Sequence, residues 1–478
     1  MLARASHAQA LDAAYREFLE ACPSYAETHR LDELRASEYG RLDSQGVAYL
    51  DYTGAGLYGR TQVERQAAFL AEAVLGNPHS AASSRDPTSE LVERARERIL
   101  DYFHASADTY DVIFTPNASG ALRLVAEAYP FAPGADLLLV SDDHNSVQGM
   151  REYALAKGAR VRYAPVTPPD LRLDGERLAA LLDTPTTGGG RHLFAYPAQS
   201  NFSGVQHPLG WIERAAERGW DVLLDAAAFV PTNPLDLSRV GPTFVALSFY
   251  KMTGLPTGVG ALLVRREALA RLERPWFAGG TVLFVSVNAF EAEPHAFRRI
   301  DGHEGFEDGT LNFLAIPAVE AGLDYLEGVG VEAIHTRVML LTGWLLDRLL
   351  ALRHENGRPV VEVYGPHDLV DRGAVVLFNV LDPDGGRIDD RLVQAAATEV
   401  GLRLRAGCHC NPGAREAALG KDGAELARLF QTTRGQTSEA FLEAAAAHLD
   451  GAVRASLGIA SNFEDVFRLV RFVETYRR

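Results

Sequence analysis

Short apolar runs recur along the first half of the chain, each closed by polar or glycine residues and separated by helical patterns. They are VIFT (112–115), LLLVS (137–141), LFAY (193–196), DVLL (221–224) and FVAL (244–247). A strand with one face in water alternates apolar and polar residues, so runs this apolar must be covered on both faces. Strands of that kind spaced by helices specify an α/β fold: a large, mostly parallel sheet of about seven strands with helices on both faces. Asp86-Pro87 marks one helix start, with Asp as N-cap and Pro at the first helical position. Leu91, Val92, Ala95, Ile99 and Phe103 then fall on one face.

The 478 residues divide by pattern into four parts. Residues 1–45 read as a helical leader, expected to pack on a small C-terminal domain. Residues 46–315 read as the large domain, opening with YLDYTGAG (49–56), a short strand running into a glycine-rich turn. Residues 316–355 carry two long helical patterns and read as connecting helices. Residues 356–478 read as the small α/β domain, with strands at 360–364, 374–380 and 402–404. Its last helix is expected to start on a capping box, Ser461-Asn-Phe-Glu464. TPTTGGG (184–190) reads as a solvated turn, and no internal repeat is present.

A net charge of −16 argues against a general nucleic-acid or anionic-membrane surface. The first 21 residues lack a continuous apolar core and read as an amphipathic helix rather than a signal peptide. No stretch approaches the roughly 20 apolar residues of a membrane span. Three cysteines cannot form a disulfide framework, which points to a reducing, cytoplasmic setting.

In open α/β sheets ligands bind beyond the carboxyl ends of the strands, and chemistry collects at those ends here. Asn117-Ala118-Ser119-Gly120 follows the first strand at a helix N-terminus, a place for a phosphate or for a plain N-cap. His144 follows the second, as a stacking ring or an ordinary loop histidine. Ser200 and Asn201 follow the third, where a simple Asn turn is the alternative. Asp225 ends the fourth; buried, it needs a cationic partner, unless it only caps a turn. Lys251 follows the fifth, hemmed by Gly254, Pro256, Gly258 and Gly260. Desolvation there lowers a lysine's pKa and suits it to Schiff-base chemistry; a surface lysine in a hairpin turn is the alternative. In this order, the parts are those needed to hold pyridoxal 5'-phosphate. No P-loop or well-placed G-x-G-x-x-G occurs.

The sequence resembles the cysteine desulfurases among the class V aminotransferase-like, fold-type I pyridoxal-phosphate enzymes. Within these it is similar to the N-terminal desulfurase domain of molybdenum-cofactor sulfurases. The resemblance runs from about residue 48 to 475. Its stretches are NPHSAASSR (77–85), DHNSVQGMRE (143–152), FAYPAQSNFSGVQHPL (194–209) and LLDAAAFVPTNPLDLS (223–238). They continue with SFYKMTGLPTGVGALLV (248–264), FEDGTLNF (306–313) and RAGCHCNPGA (405–414).

The resemblance implies that Lys251 forms the Schiff base with the cofactor and Asp225 pairs with its pyridinium nitrogen. It implies that His144 stacks on the ring and Asn201 bonds the phenolic oxygen, with Tyr250, beside the lysine, also binding the cofactor. Ser119, Ser248 and the Ala118 amide would hold the phosphate. Thr310 would reach the phosphate of a neighbouring subunit, in a homodimer with shared sites. Arg405 and Arg454 would bind the substrate carboxylate. Arg405-x-Gly407-x-x-Cys410 would place the persulfide-forming nucleophile at Cys410, with Arg405 and His409 as a cationic neighbourhood that raises the thiolate fraction.

Cys408 and Cys410 could otherwise be half a metal site, but no second Cys/His pair is evident, and no metal is expected. Departures from the family pattern are Ala228, where many desulfurases carry Gln, Ala406 for Thr, and Arg415 where the sulfurases often carry a third cysteine. The chain is also expected to lack the C-terminal domain that holds the molybdenum cofactor. The activity expected is therefore an L-cysteine desulfurase that releases alanine and passes sulfur to an unknown acceptor, a protein or a cofactor. A β-lyase, aminotransferase or decarboxylating enzyme on the same fold is the alternative, with Cys410 dispensable. A non-catalytic sulfur carrier is a third.

Overall fold

In the computed structural model, residues 2–78, 86–185 and 190–478 are described. Most of the stretch 77–85 singled out above, and much of 184–190, therefore lie outside the described residues.

The apolar runs form a seven-stranded sheet. Its spatial order is Tyr110–Thr115, Gly260–Arg265, Phe244–Ser248, Trp220–Asp225, His192–Pro197, Asp136–Val140 and Arg160–Ala164. Gly260–Arg265 runs antiparallel to both its neighbours, and the other pairs are parallel. Successive side chains of a strand point to opposite faces, and here both faces are buried. Ile113, Leu139, Leu193, Leu223, Phe244, Ala246 and Leu262 pack into one core, with the helix Ala118–Ala128. Phe114, Leu138, Phe194, Leu224, Val245, Leu247 and Leu263 pack into the other. This two-sided burial is the reason the runs are apolar throughout.

A second sheet has four antiparallel strands in the order Val361–Tyr364, Val375–Val380, Ala452–Ser456 and Arg405–Gly407. The short strand Ala48–Tyr49 pairs in parallel with Leu402–Arg403. Two long helices, Pro317–Val329 and Val331–Ala351, lie between the two sheets in sequence. The N-terminal helix Leu2–Ala21 is clamped by aromatic contacts: Phe18 stacks on Phe463 (4.8 Å between centroids) and meets Trp344 edge-on (6.4 Å). It thus rests on both the second long helix and the last helix, Phe463–Glu474.

The start of that last helix differs from the expectation by one residue. Asn462 is the N-cap, accepting from Asp465 N (3.0 Å), while the Asp465 side chain accepts from Asn462 N (3.2 Å). Ser461 instead turns its hydroxyl back to accept from Gly458 N (3.0 Å). Asp465 also meets the guanidinium of Arg35, which donates to Ala460 O as well. No single helix among the described residues is long and apolar enough to cross a membrane.

Candidate active site

Six of the seven strands point the same way, so their carboxyl ends share one edge of the sheet. At that edge Asn117, Ala118, Ser119, His144, Asn201, Asp225, Ser248, Tyr250 and Lys251 line one cavity, floored by Pro197, Ala227 and Ala228. Lys251 sits on a single helical turn, Phe249–Thr253, directly after the strand Phe244–Ser248. Gly254 ends that turn in the left-handed region (φ +73°), and a Cβ there would lie 2.3 Å from Tyr58 N. Gly260 is pressed just as closely on Asn117, whose Cα would lie 2.5 Å from an added Cβ. The glycines around the lysine thus let two neighbouring backbones close over it.

One end of the cavity is an anion cradle. Asn117 caps the helix Ala118–Ala128 by accepting from Gly120 N (3.0 Å). The Ala118 amide donates to Ser248 Oγ (2.8 Å), and Ser119 Oγ lies 2.6 Å from Ser146 Oγ. Three serine hydroxyls and a helix N-terminus converge there, the arrangement that favours a phosphate.

The ionisable groups line the same cavity. Asp225 is 8 % exposed and accepts from Ala227 N (3.0 Å), yet it forms no ion pair among the described residues. Burial lowers the pKa of Lys251 below the ordinary lysine value; Asp225 opposes that shift, while Arg454 and Arg405 add to it. Burial also lowers His144, again opposed by Asp225 and reinforced by Lys251, Arg405 and Arg454. The site therefore holds a desolvated amine fit to act as a neutral nucleophile, a neutral imidazole and a carboxylate in want of a cation. His144 Nδ1 accepts from Ser146 N (3.1 Å), which fixes its ring on the cavity wall.

Arg405 and Arg454 face each other as cross-strand partners in the four-stranded sheet. Like charges placed directly opposite destabilise a sheet, so the pair calls for anions. Arg454, 1 % exposed, donates to Asp51 Oδ1 and to Asn201 O, both at 2.6 Å. Arg405 has no carboxylate partner among the described residues and is half-buried, which leaves its fork for a ligand. Neither arginine lines the cavity itself.

The strand Arg405–Gly407 runs straight into Cys408-His409-Cys410. Cys408 is exposed and Cys410 half-buried, and all three cysteines are free. Asn145 N donates to Cys410 O (2.7 Å), which brings the loop beside His144. One expectation changes here. His409 is not a cation: burial, with Arg454 and Arg405 adding, lowers it to about 3, and its Nε2 lies 3.0 Å from Ala452 O. Asn201, besides lining the cavity, donates from Nδ2 to His409 O (2.6 Å) and so also serves the cysteine loop.

Thr310 lies away from this cavity, 3.2 Å from Asn77 Nδ2 and on a second cavity with Arg123, Glu127, Arg274 and Trp276. Among the described residues no group of three or more His, Cys, Asp or Glu side chains is gathered to hold a metal. Four residues of the site were not singled out from sequence: Asp51, Asp142, Gln199 and Asn411. Gln199 lines the cavity and donates to Ala228 O (2.9 Å); the others act through partners hundreds of residues distant.

Taken together, the anion cradle, flat imidazole, unpaired acid and desolvated amine suit a ligand carrying a phosphate, a flat cationic ring and a carbonyl. Comparison with known proteins gives the same picture. The sequence profile of the Aminotransferase class-V family matches residues 48–469. The molybdenum cofactor sulfurase of Homo sapiens is 39% identical over 464 residues, covering 93% of this chain and 51% of the relative. That of Solanum lycopersicum is 37% identical over 474 residues, covering 93% and 57%. The chain thus spans about half the length of these curated relatives. Among solved structures, the apo cysteine desulfurase of Thermococcus onnurineus NA1 superposes with a TM-score of 0.75 at 23% identity, over 93% of this chain and 97% of that one. The S-sulfonic acid form of an Escherichia coli cysteine desulfurase gives 0.72 at 21%, over 93% and 98%. At such identities these structures establish the shared fold.

Proposed function

The chain belongs to the class V aminotransferase family, and from that premise we propose that it is a pyridoxal-phosphate-dependent L-cysteine desulfurase of molybdenum-cofactor-sulfurase type. The observation that carries this is a buried Asp225 and a desolvated Lys251 lining one cavity, with the Cys410 loop hydrogen-bonded to Asn145, next to His144 on its wall. Pyridoxal phosphate supplies a carbonyl that condenses with amines and a protonated ring that draws electrons from the atoms attached there.

Each residue then has one task. Ser119, Ser248 and the Ala118 amide hold the phosphate, exchanging their present contacts for it. Asp225 would hold a protonated ring nitrogen, a partner that would relieve the cost of its own burial. His144, kept neutral, stacks without adding a charge, and Asn201 donates to the phenolic oxygen. Lys251, with its lowered pKa, would be the amine that the cofactor's carbonyl takes, and its amino group would move a proton at the substrate. Arg405 grips the substrate carboxylate, and Arg454, already tied to Asp51, orients it.

The thiolate of Cys410 attacks the sulfur of bound L-cysteine. An S–S bond forms, the Cβ–S bond breaks, and its electron pair stays on Cβ, which takes up a proton to give alanine. Sulfur is left as a persulfide on Cys410, for an acceptor protein or cofactor. Such chemistry requires a free thiol, which a reducing compartment such as the cytoplasm maintains.

We further propose a homodimer in which Thr310 reaches the partner's phosphate. In support, the segment around the hairpin Val282–Val285 and Phe297–Arg299 exposes Trp276, Leu283, Phe284, Val287 and Phe290. Large apolar side chains left exposed along one segment suit a contact surface.

The test of the function is Cys410→Ser. It is expected to lower alanine release from L-cysteine under reductant by about 100-fold or more while the cofactor band still responds to L-cysteine. Unchanged alanine release would remove the persulfide step and leave another class V reaction.

A further inference from the structure

A fully buried polar cluster lies between the cofactor cavity and the cysteine loop. Its centre is Asp142, on the segment that follows the strand Asp136–Val140. Asn411, next to Cys410, donates from Nδ2 to Asp142 Oδ1 (2.8 Å), with Asp142 O at 3.0 Å and Asn201 Oδ1 at 3.1 Å. Both residues have no exposed surface. The same carboxyl group accepts from Ser200 Oγ (2.7 Å) and lies 3.0 Å from His207 Nε2.

Three successive residues of the cysteine loop are therefore anchored on cofactor-side loops: His409 O by Asn201 Nδ2, Cys410 O by Asn145 N, and Asn411 by Asp142. The anchors oppose an unfavourable backbone. His409 and Cys410 both sit in the left-handed region, at φ +53° and +56°, which side-chain-bearing residues avoid. Such a conformation persists only where the surroundings hold it.

We propose that Asn411 is a positioning residue for sulfur transfer: its amide, tied to Asp142, sets where Cys410 presents its thiol to the cofactor cavity. The proposal rests on the desulfurase reading above. Asn411 has a second duty, because its Oδ1 accepts from Ala414 N (3.2 Å) and caps the helix Pro412–Leu419. The two duties use different atoms, so they can be separated. Serine is as good an N-cap as asparagine, but it offers no amide to reach Asp142.

The experiment compares Asn411→Ser and Asn411→Ala in the cofactor-loaded protein, in a Cys22→Ser, Cys408→Ser background so that iodoacetamide reports on Cys410. In Asn411→Ser, alkylation of Cys410 is expected to speed up about tenfold and kcat for alanine release to fall about tenfold. The KM for L-cysteine should stay within about twofold and the cofactor band should be unchanged. Asn411→Ala should show the same changes together with a lower thermal midpoint from the lost cap. Wild-type alkylation and kcat in Asn411→Ser would overturn the proposal and leave Asn411 a cap alone. If the parent protein released no alanine from L-cysteine, the desulfurase reading would fall, while alkylation would still decide whether Asn411 holds the loop.

Discussion

Arg405 illustrates how much of this site depends on the geometry of single side chains. Its planar fork can grip a carboxylate with two parallel hydrogen bonds, whereas a lysine offers a point charge. Arg405→Lys is therefore expected to raise the KM for L-cysteine about tenfold, equivalent to about 1.4 kcal/mol, with a smaller effect on kcat. Steady-state kinetics of alanine release would show it; an unchanged KM would mean that Arg405 does not bind the substrate carboxylate. His409 makes a different prediction. Its folded-state pKa of about 3 lies below the ordinary histidine value of about 6.5. The stability tied to its neutral ring is thus fully present above about pH 6.5 and is lost as pH falls toward 3. His409→Gln, which cannot titrate, should show a smaller drop in thermal midpoint between about pH 7 and about pH 5 than the parent protein. Equal drops would refute this source of acid sensitivity. The residue also marks a limit of sequence reading: between two cysteines and near an arginine it looked cationic, and only the fold reveals its burial.

At the scale of elements, the strands were legible because both of their faces are buried, so their apolar character survives without context. The helix starts were legible where the cap is local, as at Asp86, which accepts from Thr88 N and Ser89 N. At the last helix the expected cap, Ser461, gives way to its neighbour Asn462, and tertiary contacts account for the shift. Asp465 is drawn in by Arg35 from the N-terminal region, and that fixes Asn462 as the cap. Asn462→Ala should cost about 1 kcal/mol of stability, read from a denaturant or thermal midpoint; no loss would mean that packing of Phe463 alone sets the helix start. The opposed pair Arg405 and Arg454 shows the same limit. Both were recognisable by resemblance, but their facing register and the part of Asp51 depend on strands about 50 and about 400 residues apart in sequence. The Asp142–Asn411 tie, spanning 269 residues, is of the same kind. Neither end carries a local signal beyond that of an ordinary turn residue.

At the scale of the molecule, the two sheets meet where the cofactor loops and the cysteine loop exchange hydrogen bonds, so the proposed nucleophile comes from one sheet and the proposed cofactor cavity from the other. This division makes Cys410 dependent on long-range contacts, and it explains why the site residues could be listed from sequence while their mutual support could not. The exposed apolar hairpin gives a further expectation. With a chain mass of 52.0 kDa, light scattering should report a species of twice that mass. Phe284→Glu combined with Val287→Glu should shift it toward the monomer and lower cofactor retention. A parent protein that stays monomeric would contradict both the shared site and the role of Thr310. The account's central claim is tested most directly by mixing the purified, cofactor-loaded protein with L-cysteine and a reductant, while following the cofactor spectrum, sulfide and alanine together. Equimolar sulfide and alanine, with a persulfide trapped on Cys410, is the predicted result. Pyruvate and ammonia in place of alanine, or a cofactor band that ignores L-cysteine, would contradict it.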